Sequence, residues 1–583
     1  MKKTPPTNPH LHSFKLLCTS LLVLLTGTPI LGQIVGVNAE VQNPELVIFQ
    51  HFDSTGSLNH SHDHSFIKCL TPLIISLNDQ ESEISPALKT AFNALDAPRS
   101  FSASEYISPG GKFRIHYETS GSHRVPSDDF NSNGIPDYVE EIAEAADSSY
   151  QHEIVTLGFT DPIGDGEVYD VFVQNLANIG AYGLTNNRTS GSFSCNSNSP
   201  GTCIYIENDF VGYPPNTDPE GDVIGAVKVT MAHEFKHAIQ FAQNNWQGET
   251  DRWAEMDATL MEEVVYDDVN DYYNYITGFA SDLFNFPATS LTAGSYEDIT
   301  WALYFYERFG PFFWTEVWQV IEANTSITLL DAIRTVLVGQ SDSYDAAVLE
   351  SYMWHYASGS DFSGTDFGFE ERLQYPNPRI SATYTELQSQ LTDTLFLSPF
   401  AARYYTLENE FNTISEGYVK FDFYVENPEV HLGLIAYMPD GSTRIQTAIG
   451  SRDRLSGSIE TNWLYNEIDK IGLVVMNSSV DESNGYAFRF TDYFIAEEIQ
   501  LAQNYPNPFY PRTKIRVTIP RTQNITLRVF DSIGREIQIV YSGTIEAGFH
   551  DILFDARALS SGIYFYQLIS EDGIKTKAMT LIK

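Results

Sequence analysis

The rhythm of hydrophobic and polar positions changes several times along this chain. FRIHY (Phe113–Tyr117), VYDVFV (168–173) and CIYI (203–206) are short apolar-rich runs bounded by turn residues, which predicts strands. Between the first two, DYVEEIAEAADSSY (Asp137–Tyr150) follows a helical period. A further helix carries MAHEFKHAIQF (231–241), where Val227, Val229, Ala232, Phe235, Ala238, Ile239, Phe241 and Ala242 make much of the surface apolar. From Trp253 to about Gly359 the pattern is mainly helical and rich in Trp and Tyr. Strands followed by helices indicate an α+β domain, at 106–365. Short alternating strands then take over at 418–424, 431–437, 471–476 and 486–490, separated by turns such as PDGS and DESNG. They predict a β-sandwich at 366–497. After a proline-punctuated linker, strands at 514–519, 525–530, 551–554, 563–568 and 577–582 predict a second all-β sandwich at 498–583. The expected fold class is therefore multidomain, α+β followed by two all-β sandwiches.

The N-terminus reads differently. Lys2, Lys3 and Lys15 precede an apolar run at 16–25 that holds Cys18, and small residues follow. Residues 1–32 are predicted to be a secretory signal, with an apolar run too short for a membrane span. No later stretch is long and apolar enough, so no span is expected in the mature protein. Residues 33–105 are mixed, with a helical stretch at SPALKTAFNAL, and their position is that of a propeptide. Export implies an oxidising compartment. Cys195 and Cys203 flank the turn-rich NSNSPGT and are predicted to form a disulfide, which leaves Cys69 unpaired.

Charge narrows the partners. With 34 basic and 76 acidic residues among 583, the net charge is -42. This argues against nucleic acid, whose phosphates need Lys and Arg, and against anionic membrane surfaces. An acidic surface suits high salt or bound cations.

Two stretches carry chemistry. On a helix, His233 and His237 lie on one face at i and i+4, where two imidazoles can bind one zinc ion. Glu234 is rotated off that line and can act as general base on a zinc-bound water. A catalytic zinc needs a third protein ligand. Seventeen residues separate His237 from Glu255, which lies in a plausible helix where Trp253, Met256, Leu260, Met261 and Val264 recur. Tyr266, Tyr296 and His355 are candidates to stabilise an oxyanion. The second stretch, DDFNSNGIPDYVEE, fits D-x-[DN]-x-[DN]-G-x5-E. Asp129, Asn131, Asn133, Asp137 and Glu140, with the Ile135 carbonyl, would bind a structural calcium ion; Gly134 would permit the sharp turn. The competing reading is an Asx-rich turn that caps the helix.

Three resemblances sharpen these expectations. E-x-x-A-x-x-x-E at 255–262 resembles the glutamate helix of gluzincin peptidases, which implies Glu255 as zinc ligand. Glu262 and Glu263 are the alternatives, and Met256 and Asp257 depart from the usual gluzincin signature. NYPNPF (504–509), DSIG (531–534) and LSSGIYF (559–565) resemble the C-terminal sorting domain of type IX secretion. That implies export across the outer membrane to the medium or cell surface, with the secretion machinery as partner. KFRIHY (112–117), NGIPDYV (133–139), VYDV (168–171), ENDF (207–210) and MAHEFKHAIQ (231–240) together resemble a group of secreted bacterial zinc metalloproteases. The resemblance spans roughly 65–360 and implies a zincin-like catalytic domain acting on protein or peptide substrates. Members often carry a cysteine near the position of Cys69, so a latent state with Cys69 on zinc stands beside a plain unpaired cysteine. A non-catalytic surface or adhesion protein, and a zinc hydrolase of non-peptide amides or esters, are the alternative functions.

Overall fold

In a computed structural model, the described residues are 67–71, 104–177, 180–187, 195, 201–247, 250–277, 282–293, 295–362, 367–409, 414–493 and 498–583. The predicted signal at 1–32 and the helical stretch SPALKTAFNAL lie outside them, as does most of the propeptide-like segment. All described residues belong to the unit Pro44–Lys583. Among the described residues, no helix is long and apolar enough to cross a membrane.

The molecule is multidomain and mixed α/β, with several β-sheets. The first sheet has six strands: β1 (Ile67–Cys69), β2 (Ser104–Ile107), β3 (Phe113–Tyr117), β4 (Tyr169–Gln174), β5 (Ala181–Asn186) and β6 (Cys203–Glu207). Their order is β1-β5-β6-β4-β3-β2. β3, β4 and β6 are parallel neighbours, while β5 runs antiparallel to β6. β4, β5 and β6 are buried along their whole length, as strands covered on both faces must be. β1 comes from the propeptide-like segment, yet it completes the sheet beside β5. It is too short to be legible by periodicity.

Helices cover the sheet. α1 (Asp137–Tyr150) and α2 (Asp222–Asn244) pack on it, and α3 (Thr250–Val265) packs on α2. Among the described residues between 266 and 298 the chain forms turns and short 3-10 segments, where the sequence pattern predicts mainly helix. α4 (Ile299–Phe309), α5 (Phe313–Ala323), α6 (Leu329–Gly339) and α7 (Tyr344–Tyr356) follow. Trp301, Trp314 and Trp318 are fully buried here, each contributing about 2 kcal/mol or more of apolar burial.

Nine strands then form two facing sheets: β7 (Ala382–Tyr384), β8 (Leu395–Leu397), β9 (Ala401–Glu408), β10 (Tyr418–Val425), β11 (Val430–Tyr437), β12 (Thr443–Ala448), β13 (Ser456–Leu464), β14 (Lys470–Asn477) and β15 (Asn484–Tyr493). One has the order β12-β11-β14-β9-β7, the other β13-β10-β15-β8, and they enclose a core of their own. Seven further strands, from β16 (Gln500–Leu501) to β22 (Gly573–Leu581), enclose a third core.

The first core does not stop at residue 365. It includes Tyr404, Ile435, Val474 and Met476 of the sandwich, because α7 packs directly on β11 and β14. Two glycines make that approach possible. A Cβ on Gly433 would stand 2.4 Å from Met353 Sδ, and one on Gly472 would stand 2.1 Å from Tyr356 Cε1. Gly472→Ala is expected to destabilise the chain by about 1–3 kcal/mol through overpacking, read as a lower denaturation midpoint. Gly339→Ala, with open space around the new Cβ, is expected not to.

Candidate metal centre

α2 is buried on nearly every side from Gly225 to Gln240. Each polar side chain inside it therefore needs a partner. The helix ends at Asn245 (φ 54°), whose N–H donates to the Phe241 carbonyl at 2.8 Å, and Trp246 (φ 54°) is left-handed too. Two such residues in succession reverse the chain. The Trp246 indole N–H then donates to the His237 carbonyl at 3.0 Å. α3 returns antiparallel, with Ala254 opposite Gln240, Glu255 opposite His237 and Glu262 opposite His233.

This hairpin assembles one group. Cys69, His233, His237 and Glu255 are buried, and one ligand atom from each lies within 4.8 Å of all the others. His237 Nε2 is 2.9 Å from Glu255 Oε1, His233 Nε2 is 3.4 Å from Glu255 Oε2, and the two Nε2 atoms are 3.2 Å apart. Both Nδ1 atoms face acceptors: Glu262 Oε1 at 2.7 Å from His233, and Gln240 Oε1 at 2.8 Å from His237. Each Nδ1 thus has an acceptor for its proton, and each Nε2 faces the Glu255 carboxylate. The Glu255 oxygens, close as they are, make no hydrogen bond of acceptable geometry.

The electrostatics agree with a site built around positive charge. Burial works to lower the His233 pKa, but Glu255 and Glu262 overcome it and raise it to about 10. Burial works to raise Glu255, but His237 and His233 hold it down at about 2. A divalent cation fits this donor set, and two imidazoles with a carboxylate suit zinc.

Glu234 stands beside these donors. Thr185 Oγ1 donates to its backbone carbonyl at 2.7 Å and to Oε2 at 2.8 Å, and Thr71 Oγ1 donates to Oε2 at 3.2 Å. Among the described residues, Oε1 has no hydrogen-bond partner. Burial raises its pKa, against His233 and His237. Gly183 of β5 makes the room, since a Cβ there would meet Glu234 Cγ at 2.9 Å.

The other candidates divide. Glu262 orients His233 and pairs with Lys68 at 2.7 Å. Glu263 lies away from the donors, near Glu371 and Asp267. Tyr296, half-buried, is close enough to Glu255 for that charge, after desolvation and Glu297, to raise its pKa. Tyr266 donates to the Ala145 carbonyl at 3.1 Å. His355 is a core residue held by Ser351 and Thr300, with burial lowering its pKa to about 4.

Periodicity had no means of finding Gln240, Asp257, Lys68 and Asp271. Gln240 donates to Asp257 Oδ2 at 3.0 Å, and the Trp318 indole donates to the same oxygen at 2.7 Å. The only local signal was the place of Gln240 one turn beyond His237.

At the second stretch, the Asp129 carboxylate accepts from Asn133 N at 3.1 Å and Gly134 N at 2.9 Å. Asn133 Oδ1 accepts from Ile135 N at 2.8 Å. Asn131 and Asn133 direct their amide nitrogens at Glu140, at 2.8 and 2.7 Å. Asp137 accepts from Phe130 N at 3.0 Å. The predicted residues thus meet, Asp129, Asn131, Asn133 and Ile135 in the loop and Asp137 and Glu140 in the first turn of α1. A disulfide joins Cys195 to Cys203 with a Cα–Cα distance of 5.5 Å.

Glu263 generates a pH expectation. Burial first, then Glu371 and Asp267, raise its pKa to about 10. Between its ordinary value and about 10, the folded state keeps a proton that the unfolded state has lost. Stability therefore falls as pH rises through that window. Glu263→Gln is expected to flatten the decline and to raise the urea midpoint at pH 8.

No curated protein matches this chain in sequence. Similar solved structures include a β-1,2-glucanase from Parabacteroides distasonis, at TM-score 0.15 and 9% identity, covering 33% of this chain and 32% of that one. A β-glucuronidase from Ruminococcus gnavus has TM-score 0.12 and 8% identity, covering 31% and 35%. β-Glucuronidase 3 from Bacteroides uniformis has TM-score 0.12 and 14% identity, covering 30% and 29%. This chain thus spans about a third of the length of these proteins, and such scores bear on neither fold nor chemistry. Residues 503–583 match the secretion system C-terminal sorting domain family, and they form the β-rich tail with its own core. The chain is therefore a bacterial cargo of type IX secretion, handled by that machinery and destined for the medium or the cell surface.

Proposed function

We propose that this protein is a secreted zinc-dependent peptidase of gluzincin type. In this reading residues 106–365 are a zincin-like catalytic domain, 366–497 an accessory sandwich and 498–583 the sorting domain. One observation carries it. Two Nε2 atoms and the Glu255 carboxylate converge in a buried site, each imidazole oriented by an acceptor on its far nitrogen.

A zinc ion held there by His233, His237 and Glu255 would polarise both water and the scissile carbonyl. Glu234 Oε1, without a hydrogen-bond partner among the described residues, takes the proton from the attacking water. Its raised pKa suits a base that later hands the proton to the leaving amine. Thr185 holds its other oxygen in place, and Glu262 and Gln240 keep the imidazoles in the required tautomer. Tyr296 is the best placed of the oxyanion candidates. Cys69 belongs to the same donor group, and in this reading it closes the site in a latent form until β1 is displaced.

Protein recovered from culture medium is expected to hold one zinc per chain and to cleave casein or peptides until chelated. Glu234→Gln is expected to lower kcat by about 10²–10⁴-fold while retaining zinc. Glu255→Gln is expected to lose the metal, and Glu262→Gln to bind it about 10–100-fold more weakly. Zinc unaffected by Glu255→Gln, or hydrolysis unaffected by Glu234→Gln, would sink the reading.

We also propose that the loop at 129–140 binds a structural calcium ion. Calcium at a hundred times its Kd is expected to stabilise the fold by about 2.7 kcal/mol. Asp129→Ala is expected to abolish that response in a melting experiment; an unchanged response would rule the site out.

A further inference from the structure

Cys69 and its neighbour Lys68 are both sunk into the body. Cys69 joins the donor group, and Lys68 enters a separate seat beside it. Its Nζ lies 2.7 Å from Glu262 Oε2, donates to Asp271 Oδ2, and stands 4.9 and 5.0 Å from the ring centres of Tyr182 and Tyr275. The Tyr275 hydroxyl donates to that of Tyr182 at 2.8 Å, tying the aromatic walls together.

None of these four residues belongs to the segment that carries Lys68. Tyr182 is on β5, Glu262 on α3, and Asp271 and Tyr275 follow α3. The body itself therefore builds an acidic seat with aromatic walls. The Glu262 and Asp271 side chains are 1% and 0% exposed. Two such carboxylates, left without a cation, are strongly disfavoured. Glu262 is also the acceptor for His233 Nδ1, so the seat directly adjoins the metal centre.

A peptide substrate reaches the same place. β1 lies along β5, with Ile67 opposite Ala181, Cys69 opposite Gly183, and Leu70 N donating to Gly183 O at 3.3 Å. Among the described residues β1 is the outermost strand, so without it β5 is an edge open to strand addition. An extended peptide on that edge passes the donors where Cys69 lies and offers a neighbouring side chain to the seat of Lys68.

Resting on the peptidase reading, we propose that Tyr182, Glu262, Asp271 and Tyr275 form a specificity pocket. It takes a cationic side chain beside the scissile bond of a peptide substrate, and Lys68 fills it as a built-in substrate mimic. Lysine is preferred, because a compact ammonium fits between two carboxylates beneath aromatic faces.

Lys68→Ala in the full chain empties the seat. n-Butylammonium is then expected to raise the melting temperature in a dose-dependent way, while 1-butanol at equal concentrations does not. The response is expected to vanish when Asp271→Asn is added. As a measurement that does not depend on the folding of that variant, protein recovered from culture medium is offered peptides that carry lysine or norleucine at a single varied position. Lysine is expected to be favoured by about 10²-fold in kcat/KM, and Asp271→Asn to erase most of that preference. Equal responses to butylammonium and butanol would overturn the cationic seat. Peptides cut without preference for lysine would overturn the specificity role, leave Lys68 as an anchor of β1, and leave the peptidase reading intact. A butylammonium response with no peptide cut at all would overturn the peptidase reading, and the pocket's role in substrate choice with it.

Discussion

Two imidazole nitrogens and a carboxylate are held together where water cannot separate them, and much of the structure follows from that constraint. Lone pairs 3.2 Å apart repel unless a proton or a metal ion lies between them. In a buried setting the repulsion is poorly screened. The site therefore demands positive charge, and the surroundings are arranged to tolerate it. Glu262 and Gln240 each accept from a histidine, and Asp257 in turn accepts from Gln240 and Trp318. Breaking such a buried pair on one side costs about 3–5 kcal/mol, which is why the polar groups of α2 form a connected set rather than isolated contacts.

Holding that set requires close approach of rigid elements. The left-handed pair Asn245 and Trp246 turns α3 back along α2. Gly183 lets β5 press against Glu234, and Thr185 of the same strand fixes the Glu234 carboxylate. Farther out, Gly433 and Gly472 let α7 lie on the sandwich, so one core runs from the candidate metal centre into β11 and β14. The sandwich buttresses the helical layer through that contact.

The parts of the site that were legible in the sequence are those set by local geometry. His233 and His237 share a face because they are one helical turn apart. The helix of Glu255 shows its period through Trp253, Met256 and Leu260, and the strands of both sandwiches show theirs by alternation. Glu255 and Glu262 could not be told apart that way, since both lie near one face of α3. Their roles depend on which nitrogen of His233 each one meets. Lys68 and Asp271 are 203 residues apart in the chain, and no periodicity connects them. β1 was missed because three residues cannot display a strand pattern, and it is held by its partner strand rather than by any preference of its own.

What the sequence by itself determined is therefore the helix carrying two histidines and a glutamate, the Cys195 and Cys203 pair, and the sorting tail. Each rests on contacts a few residues apart or on a compact motif. Only the tertiary structure decided that Glu255 joins the histidines while Glu262 orients one of them, that Cys69 belongs to the same group, and that Lys68 is seated between Glu262 and Asp271. Those outcomes depend on how α2, α3, β1 and β5 pack. Buried charges select their partners by distance and desolvation across elements, and separation along the chain does not encode them.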